Sequence, residues 1–278
     1  MENRVESGML ERLFGVSKPI IGMIHVRPLP GSPRGRNADL EAAYVHAVDE
    51  AKRLEDGGID GLLLENAGDI PFLKPEEIGF ETVAAMTVIG DRIRRATKLP
   101  FGFNIVANAA RASIACARMS GGSFVRVNQW ANAYVANEGL VEGAAAQALR
   151  YRSLIDGNGI AVMADVHVKH GSHAIVADRE VAEQARDVEF FDADILIATG
   201  SRTGHATAPG ELDAVRAGSD LPVLVGSGLN AENAADLMRI ADGAIVGVSF
   251  KDSGKMSGSV NVPKVRALMD VMAAIRKG

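Results

Sequence analysis

The sequence predicts an α/β fold, a single (β/α)8 TIM barrel with a short N-terminal helix spanning residues 1–278. Three observations carry that expectation. Eight short apolar runs begin near Ile20, Gly61, Phe101, Phe124, Ala161, Ile195, Val223 and Ala244, and strands alternating with helical stretches build parallel sheets. Eight such units close a barrel, which takes roughly 250 residues, and the chain has 278. No Pro/Ser-rich linker or charge run divides it, and 30 glycines suit a fold with many tight turns.

In chain order, residues 7–14 predict a short helix covering the bottom of the barrel, and residues 20–25 the first strand. The segment 27–36 holds three prolines, too many for either regular element, and predicts a loop on the catalytic face. From Asp39 a helix places Leu40, Tyr44, Ala47, Val48, Ala51 and Leu54 on one stripe, ending at Gly57-Gly58. Strand two (59–64) leads into Glu65-Asn66-Ala67-Gly68-Asp69 and a helix over 75–96; strand three covers 100–106 and strand four 123–128. A long loop with Trp130 and Tyr134 precedes a helix over 139–155. Strand five covers 160–166, with Lys169-His-Gly-Ser-His173 beyond it. Strands at 194–198, 221–225 and 243–248 complete the set, backed by helices at 209–217, 231–240 and 263–276.

Composition excludes several classes. A formal charge of −5 and a pI of 5.7 leave no basic footprint for nucleic acid. Cys116 is the only cysteine, so no internal disulfide forms, and its place in a helix-like stretch predicts buried packing. No apolar run approaches the ~18 residues of a membrane span, and no signal peptide is evident, so a cytoplasmic location and no transmembrane segment are expected.

Active sites of (β/α)8 barrels lie in the loops after the carboxyl ends of the strands. Five of the six histidines, His25, His167, His170, His173 and His205, fall at or just beyond predicted strand ends, while His46 is on a helix. Glu65, Asn66, Asn104, Arg126, Asn128, Asp165, Lys169, Thr199, Ser201 and Lys251 join them on that rim. Period-two geometry puts Asp165 and His167 on one side of strand five, and Arg126 and Asn128 on one side of strand four. For Asp165 and Arg126 a buried ion pair is the competing explanation.

After strand seven comes Gly226-Ser-Gly-Leu-Asn-Ala-Glu-Asn233 and after strand eight Gly247-Val-Ser-Phe-Lys251. Glycines there admit close approach of backbone amides to an anion, and barrels often bind phosphate with these two loops. Gly226, Ser227, Gly228, Gly247, Ser249 and Lys251 are the candidate phosphate residues; Asn230 and Glu232 also suit a helix cap. The glycines and small polar residues of 199–209 suit a closing lid or a static loop. Trp130 could stack on a ligand or meet another copy of the chain in a homo-oligomer.

Laid out this way, the chain resembles the BtpA/SgcQ family of bacterial and archaeal barrels. The resemblance rests on Lys18-Pro-Ile-Ile-Gly-Met-Ile-His-Val-Arg-Pro-Leu-Pro-Gly-Ser-Pro33, Gly58-Ile-Asp-Gly-Leu-Leu-Leu-Glu-Asn-Ala-Gly-Asp69, Phe101-Gly-Phe-Asn-Ile-Val-Ala-Asn108, Phe124-Val-Arg-Val-Asn128, Ala164-Asp-Val-His-Val-Lys-His170 and Val246-Gly-Val-Ser-Phe-Lys251. It implies kinship with ribulose-phosphate-binding barrels, and one member is associated with photosystem I biogenesis. It implies no reaction, because the family brings no catalytic scheme to carry over.

Two functions follow as expectations. One is an enzyme, an isomerase, lyase or hydrolase, acting on a small phosphorylated sugar or nucleoside-like metabolite. Glu65 and Asp165 would be general acid and base, and His25 and His167 would assist. Asn66, Asn104, Arg126, Asn128, Lys169, Thr199 and Ser201 would contact substrate beside the phosphate residues. Asp165 and His167 could instead hold a divalent metal ion, the one cofactor suggested. Lys169 or Lys251 could form a Schiff base or pair with phosphate. The other function is a non-catalytic assembly factor for a membrane complex, which would expose apolar surface away from the rim.

Overall fold

The computed structural model describes residues 8–200 and 209–277. After the short helix α1 (Met9–Phe14) the chain alternates strand and helix: β1 (Ile20–His25), α2 (Leu40–Asp56), β2 (Gly61–Glu65), α3 (Phe80–Ala96), β3 (Phe101–Asn104), α4 (Ala110–Ser120) and β4 (Phe124–Val127). A hairpin, β5 (Ala133–Ala136) and β6 (Gly139–Glu142), precedes α5 (Ala145–Leu154). The alternation resumes with β7 (Ala161–Asp165), α6 (Val181–Phe190), β8 (Ile195–Ala198), α7 (Pro209–Gly218), β9 (Val223–Val225), α8 (Ala234–Leu237), β10 (Gly243–Val246) and α9 (Val262–Ile275). The eight barrel strands are all parallel and close in the order β1-β2-β3-β4-β7-β8-β9-β10, with β10 back on β1. The fold is the predicted (β/α)8 barrel.

Strand alternation sorts the core into two layers. Ile21 and Met23 of β1, Leu63 of β2, Phe124 of β4, Met163 of β7, Ile197 of β8 and Ile245 of β10 fill the barrel interior. Leu10 and Phe14 of α1 close that layer from below, and the Phe14 ring meets Phe124 edge-on with centroids 5.5 Å apart. The other parity faces the helices: Ile20, Ile24, Leu62, Leu64, Phe103 and Val125 pack against the inner stripes of α2 to α4. Helix α2 is capped by Asp39, whose carboxylate accepts the Ala42 amide at 3.1 Å. Its buried stripe is Ala43, Ala47, Glu50, Ala51 and Leu54. Leu40, expected inside, is surface, and Glu50 is inside instead.

Three elements differ from expectation. Residues 139–142 form a strand rather than the first turn of a helix. Tyr134 pairs with Val141 and Val135 with Leu140 across a tight turn at Asn137-Glu138, and Val135 also exchanges backbone hydrogen bonds with Ser172 at 2.9 and 2.8 Å. The helix expected over 75–96 is a single 3-10 turn, Pro75–Glu77, followed by α3. Helix α8 is only Ala234–Leu237, because the Asn230 side chain takes the amides of Glu232 and Asn233 at 2.9 and 3.1 Å in a turn of its own. Among the described residues no helix is long and apolar enough to cross a membrane.

Candidate active site

The interior parity that is apolar at the bottom turns polar at the top. His25 ends β1, Glu65 ends β2, Asn104 ends β3, Arg126 sits near the end of β4 and Asp165 ends β7. Above them lies a cavity of about 300 Å³. Its floor and walls include Met23, His25, Glu65, Arg126, Asn128, Lys169 and His170, together with Gly226 to Gly228 and Gly247 to Ser249. Ile70 and Phe72 from the loop after β2, Val106 and Ala107 from the loop after β3, Tyr134 to Glu138 from the hairpin, and Met256 complete the mouth.

Asp165 lies beneath that surface, 1% exposed, and is fully engaged: Arg126 Nε and a terminal guanidinium nitrogen donate to its two oxygens at 3.0 Å each, and Asn128 Nδ2 donates at 3.0 Å. A bidentate pair of this kind fixes the guanidinium plane and neutralises both charges. Glu65 is supported differently. Asn104 Nδ2 donates to one oxygen at 2.9 Å, and burial holds the carboxyl above the usual carboxylate range against the pull of Arg126 and Lys169.

Lys169 reaches into the cavity from the loop after β7, where its ammonium donates to the Gly226 carbonyl at 3.3 Å. Burial, reinforced by the Arg126 charge, pushes it down from 10.5 to about 8. His25 is pushed down from 6.5 to about 3 by burial and by the charges of Lys251 and Lys169, so its ring is neutral at physiological pH. Gly247 makes room for that ring; a Cβ there would stand 2.9 Å from His25 Cε1.

The predicted site residues therefore divide. His25, Glu65, Arg126, Asn128, Lys169, Gly226, Ser227, Gly228, Gly247 and Ser249 meet at one cavity. Asn66, Asn104 and Thr199 support it from behind: Asn66 accepts the Val106 amide at 2.9 Å and donates to Asp69 at 3.0 Å, and Thr199 Oγ1 accepts the Lys169 amide at 3.0 Å. Ser201 and His205 lie outside the described residues, as does most of the predicted lid.

Four expectations need correction. His167 does not face the mouth, because β7 ends at Asp165 and the chain bends there, breaking the period-two relation. Its ring stacks on His173 at 3.7 Å and meets Gln184 of α6 through Nδ1 at 3.2 Å. Asp165 and His167 are thus separated, and among the described residues no three His, Cys, Asp or Glu side chains gather to hold a metal ion. The residues do not fit the suggested divalent site. Lys251 is not at the mouth either: it is completely buried and paired with Glu50 of α2. Trp130 neither lines the cavity nor faces outward, being 1% exposed with its indole N–H donating to the Phe191 carbonyl at 2.9 Å.

Sequence reasoning missed the hairpin's contribution. Tyr134 lines the cavity and stacks on His173 with centroids 5.2 Å apart, which ties the hairpin to the loop after β7. The signal was present in Ala-Tyr-Val-Ala followed by Asn-Glu-Gly, an alternating segment before a turn. Buried Cys116 behaves as expected, its thiol pushed up to about 11 by burial.

Known proteins place this architecture. The BtpA family profile matches residues 16–274. A protein of Archaeoglobus fulgidus is 41% identical over 254 residues, spanning 91% of this chain and 98% of its own length. The photosystem I biogenesis protein BtpA of Synechocystis is 34% identical over 265 residues, 95% of this chain and 91% of that one. Among solved structures, (S)-3-O-geranylgeranylglyceryl phosphate synthase of Thermoplasma acidophilum, in complex with sn-glycerol-1-phosphate, superposes with a TM-score of 0.61 at 17% identity, covering 100% of both chains. Phosphoribosyl anthranilate isomerase of Thermus thermophilus gives 0.56 at 13%, covering 93% of this chain and 100% of its own. At such identities these two likenesses show the barrel fold, whereas the family match and the close relatives establish kinship: the chain belongs to the BtpA family.

Proposed function

We propose that the protein is an enzyme performing acid/base chemistry on a small phosphorylated sugar or nucleoside-like metabolite, as an isomerase, lyase or hydrolase. One observation carries this reading: Glu65, neutral His25 and Lys169 converge on one cavity that is also lined by the pair of glycine-containing turns after β9 and β10. Glu65, held above the usual carboxylate range by burial, suits a group that gives and takes a proton. The amides of Val248 and Ser249 open a 3-10 turn at the cavity wall and suit a phosphate. Barrel neighbours whose names include phosphorylated compounds support the same class. The apolar lining from Met23, Phe72 and Ile245 suits the non-phosphate part of such a ligand.

The test is unbiased metabolite profiling with the purified protein, wild type against Glu65→Gln. A phosphorylated compound should be consumed by the wild type and turned over on the order of a hundredfold more slowly by the variant. If no phosphorylated compound is bound or consumed, or if both proteins behave alike, the reading fails.

The assembly-factor reading keeps a foothold because a BtpA-named relative is a biogenesis protein and because Phe190 and Leu154 are 82% and 78% exposed. It is separated by complementing a deletion strain. The enzyme reading requires Glu65→Gln to fail and Phe190→Ser to succeed; an assembly role through that surface requires the opposite.

A further inference from the structure

Resting on the enzyme reading above, we propose that Lys169 is the nucleophile of this cavity and that the substrate presents it with a ketone or aldehyde carbon, which it captures as an imine. The placement of the amine is the first argument. Lys169 is the lysine that lines the cavity, and its Nζ is held by a single neutral acceptor, the Gly226 carbonyl at 3.3 Å. Among the described residues no carboxylate stands within ion-pair distance of it, although most buried lysines are paired. Lys251 shows the contrast in the same molecule: it is fully buried, paired with Glu50 and absent from the cavity wall. A structural lysine here receives a counter-charge, and the cavity lysine does not.

The second argument is the neighbourhood. Burial disfavours the ammonium, and the Arg126 guanidinium disfavours a second positive charge near it, bringing Lys169 to about 8. Its free-amine fraction at neutral pH is then on the order of a hundredfold above that of an exposed lysine. Asp165, Glu65 and Glu211 pull the other way without outweighing burial and Arg126, so the net direction is downward. Glu65, close enough to Lys169 for each to influence the other's ionisation, supplies the proton traffic.

The step balances. The neutral amine adds to the carbonyl carbon, forming a C–N bond, and the displaced π pair on oxygen takes a proton from the Glu65 carboxyl. The nitrogen returns a proton to Glu65. Glu65 then protonates the hydroxyl, which leaves as water while the nitrogen lone pair forms the C=N bond, and the iminium nitrogen gives its remaining proton back to the Glu65 carboxylate. Amine and carbonyl are consumed, imine and water are formed, and no redox partner is needed.

The test uses the full-length protein in two arms. In the first, borohydride is added in the presence of dihydroxyacetone phosphate or unphosphorylated dihydroxyacetone, and peptides are mapped by mass spectrometry. Lys169 should carry the reduced adduct at least about tenfold above any other lysine, with inorganic phosphate competing and Lys169→Met abolishing the signal. In the second arm, a small amine-directed reagent titrates every lysine against pH with no ligand, and Lys169 should reach half-maximal labelling near pH 8. Ordinary, surface-like reactivity of Lys169 in the second arm overturns the proposal whatever the ligand. So does dihydroxyacetone phosphate that binds, by ligand-observed NMR, and is never trapped; in that case the phosphorylated-substrate reading survives. Trapping at Lys169 that ignores both the phosphate group and inorganic phosphate upholds the nucleophile and removes the phosphate reading.

Discussion

His25 ends β1 with its ring 8% exposed and Nδ1 lacking a hydrogen-bond partner among the described residues. A protonated imidazole there would be desolvated and would face the charges of Lys251 and Lys169, so the folded protein holds it neutral down to about pH 3. The unfolded chain protonates it near 6.5. Between those values the unfolded state binds the extra proton, so this stability is complete above pH 6.5 and is lost as pH falls toward 3. Urea denaturation at pH 7, 5 and 4 should show the wild type losing about 3 kcal/mol more than His25→Gln by pH 4. Parallel losses would place the acid sensitivity elsewhere. Asp165 teaches a different lesson at this scale. Because it anchors Arg126 and Asn128, Asp165→Asn would strand a buried guanidinium, so Glu65 and Lys169 are cleaner probes of the chemistry.

Among the elements, legibility followed the pleat. His25, Glu65 and Arg126 line the cavity because each lies within a strand whose alternation runs on from apolar interior residues. His167, Asn66 and Lys251 lie past the strand ends, where parity no longer holds and local hydrogen bonds decide direction. The hairpin was hidden by the alanine-rich run at 144–148, which reads as helix and drew the expected helix back over β6. Glu50 was hidden because a carboxylate on an apolar stripe reads as surface until its partner is known, and that partner is 201 residues away. The Glu50 pair joins two elements: it holds Lys251 at the end of the 3-10 turn Val248–Phe250, and its other oxygen accepts the Val260 amide at 2.9 Å. Glu50→Gln leaves a buried ammonium without its counter-charge and should cost about 3 to 5 kcal/mol in chemical denaturation. Combining it with Lys251→Met should recover most of that loss. A double variant as unstable as the single one would mean that the Val260 contact, rather than the ion pair, governs.

At the scale of the whole molecule, the barrel divides into an end that provides stability and an end that carries the candidate chemistry. The lower interior is continuous hydrocarbon, closed by Leu10 and Phe14. The upper interior holds Glu65, Arg126 and Asp165, with Lys169 reaching in from the following loop, an arrangement that costs stability. Eight apolar runs were enough to make this polarity legible, since barrel closure follows from strand number and the site follows from strand direction. If the ends are independent, a defect at the bottom should leave the top intact. Phe14 is 8% exposed and packs on Phe124 below the first polar layer, so Phe14→Ala removes a buried ring from the plug. It should lower stability by about 3 kcal/mol, read as a fall in Tm. Amine-reagent labelling of Lys169, measured well below that Tm, should keep its wild-type midpoint. Lys169→Met should do the converse, abolishing labelling while raising Tm at pH 7, because it removes a disfavoured buried charge. That gain should shrink as pH rises from about 8 to 10.5, the interval in which the unfolded lysine is charged and the folded one is not. A Phe14→Ala protein with a displaced Lys169 midpoint would show that the plug and the cavity are mechanically coupled through the barrel interior.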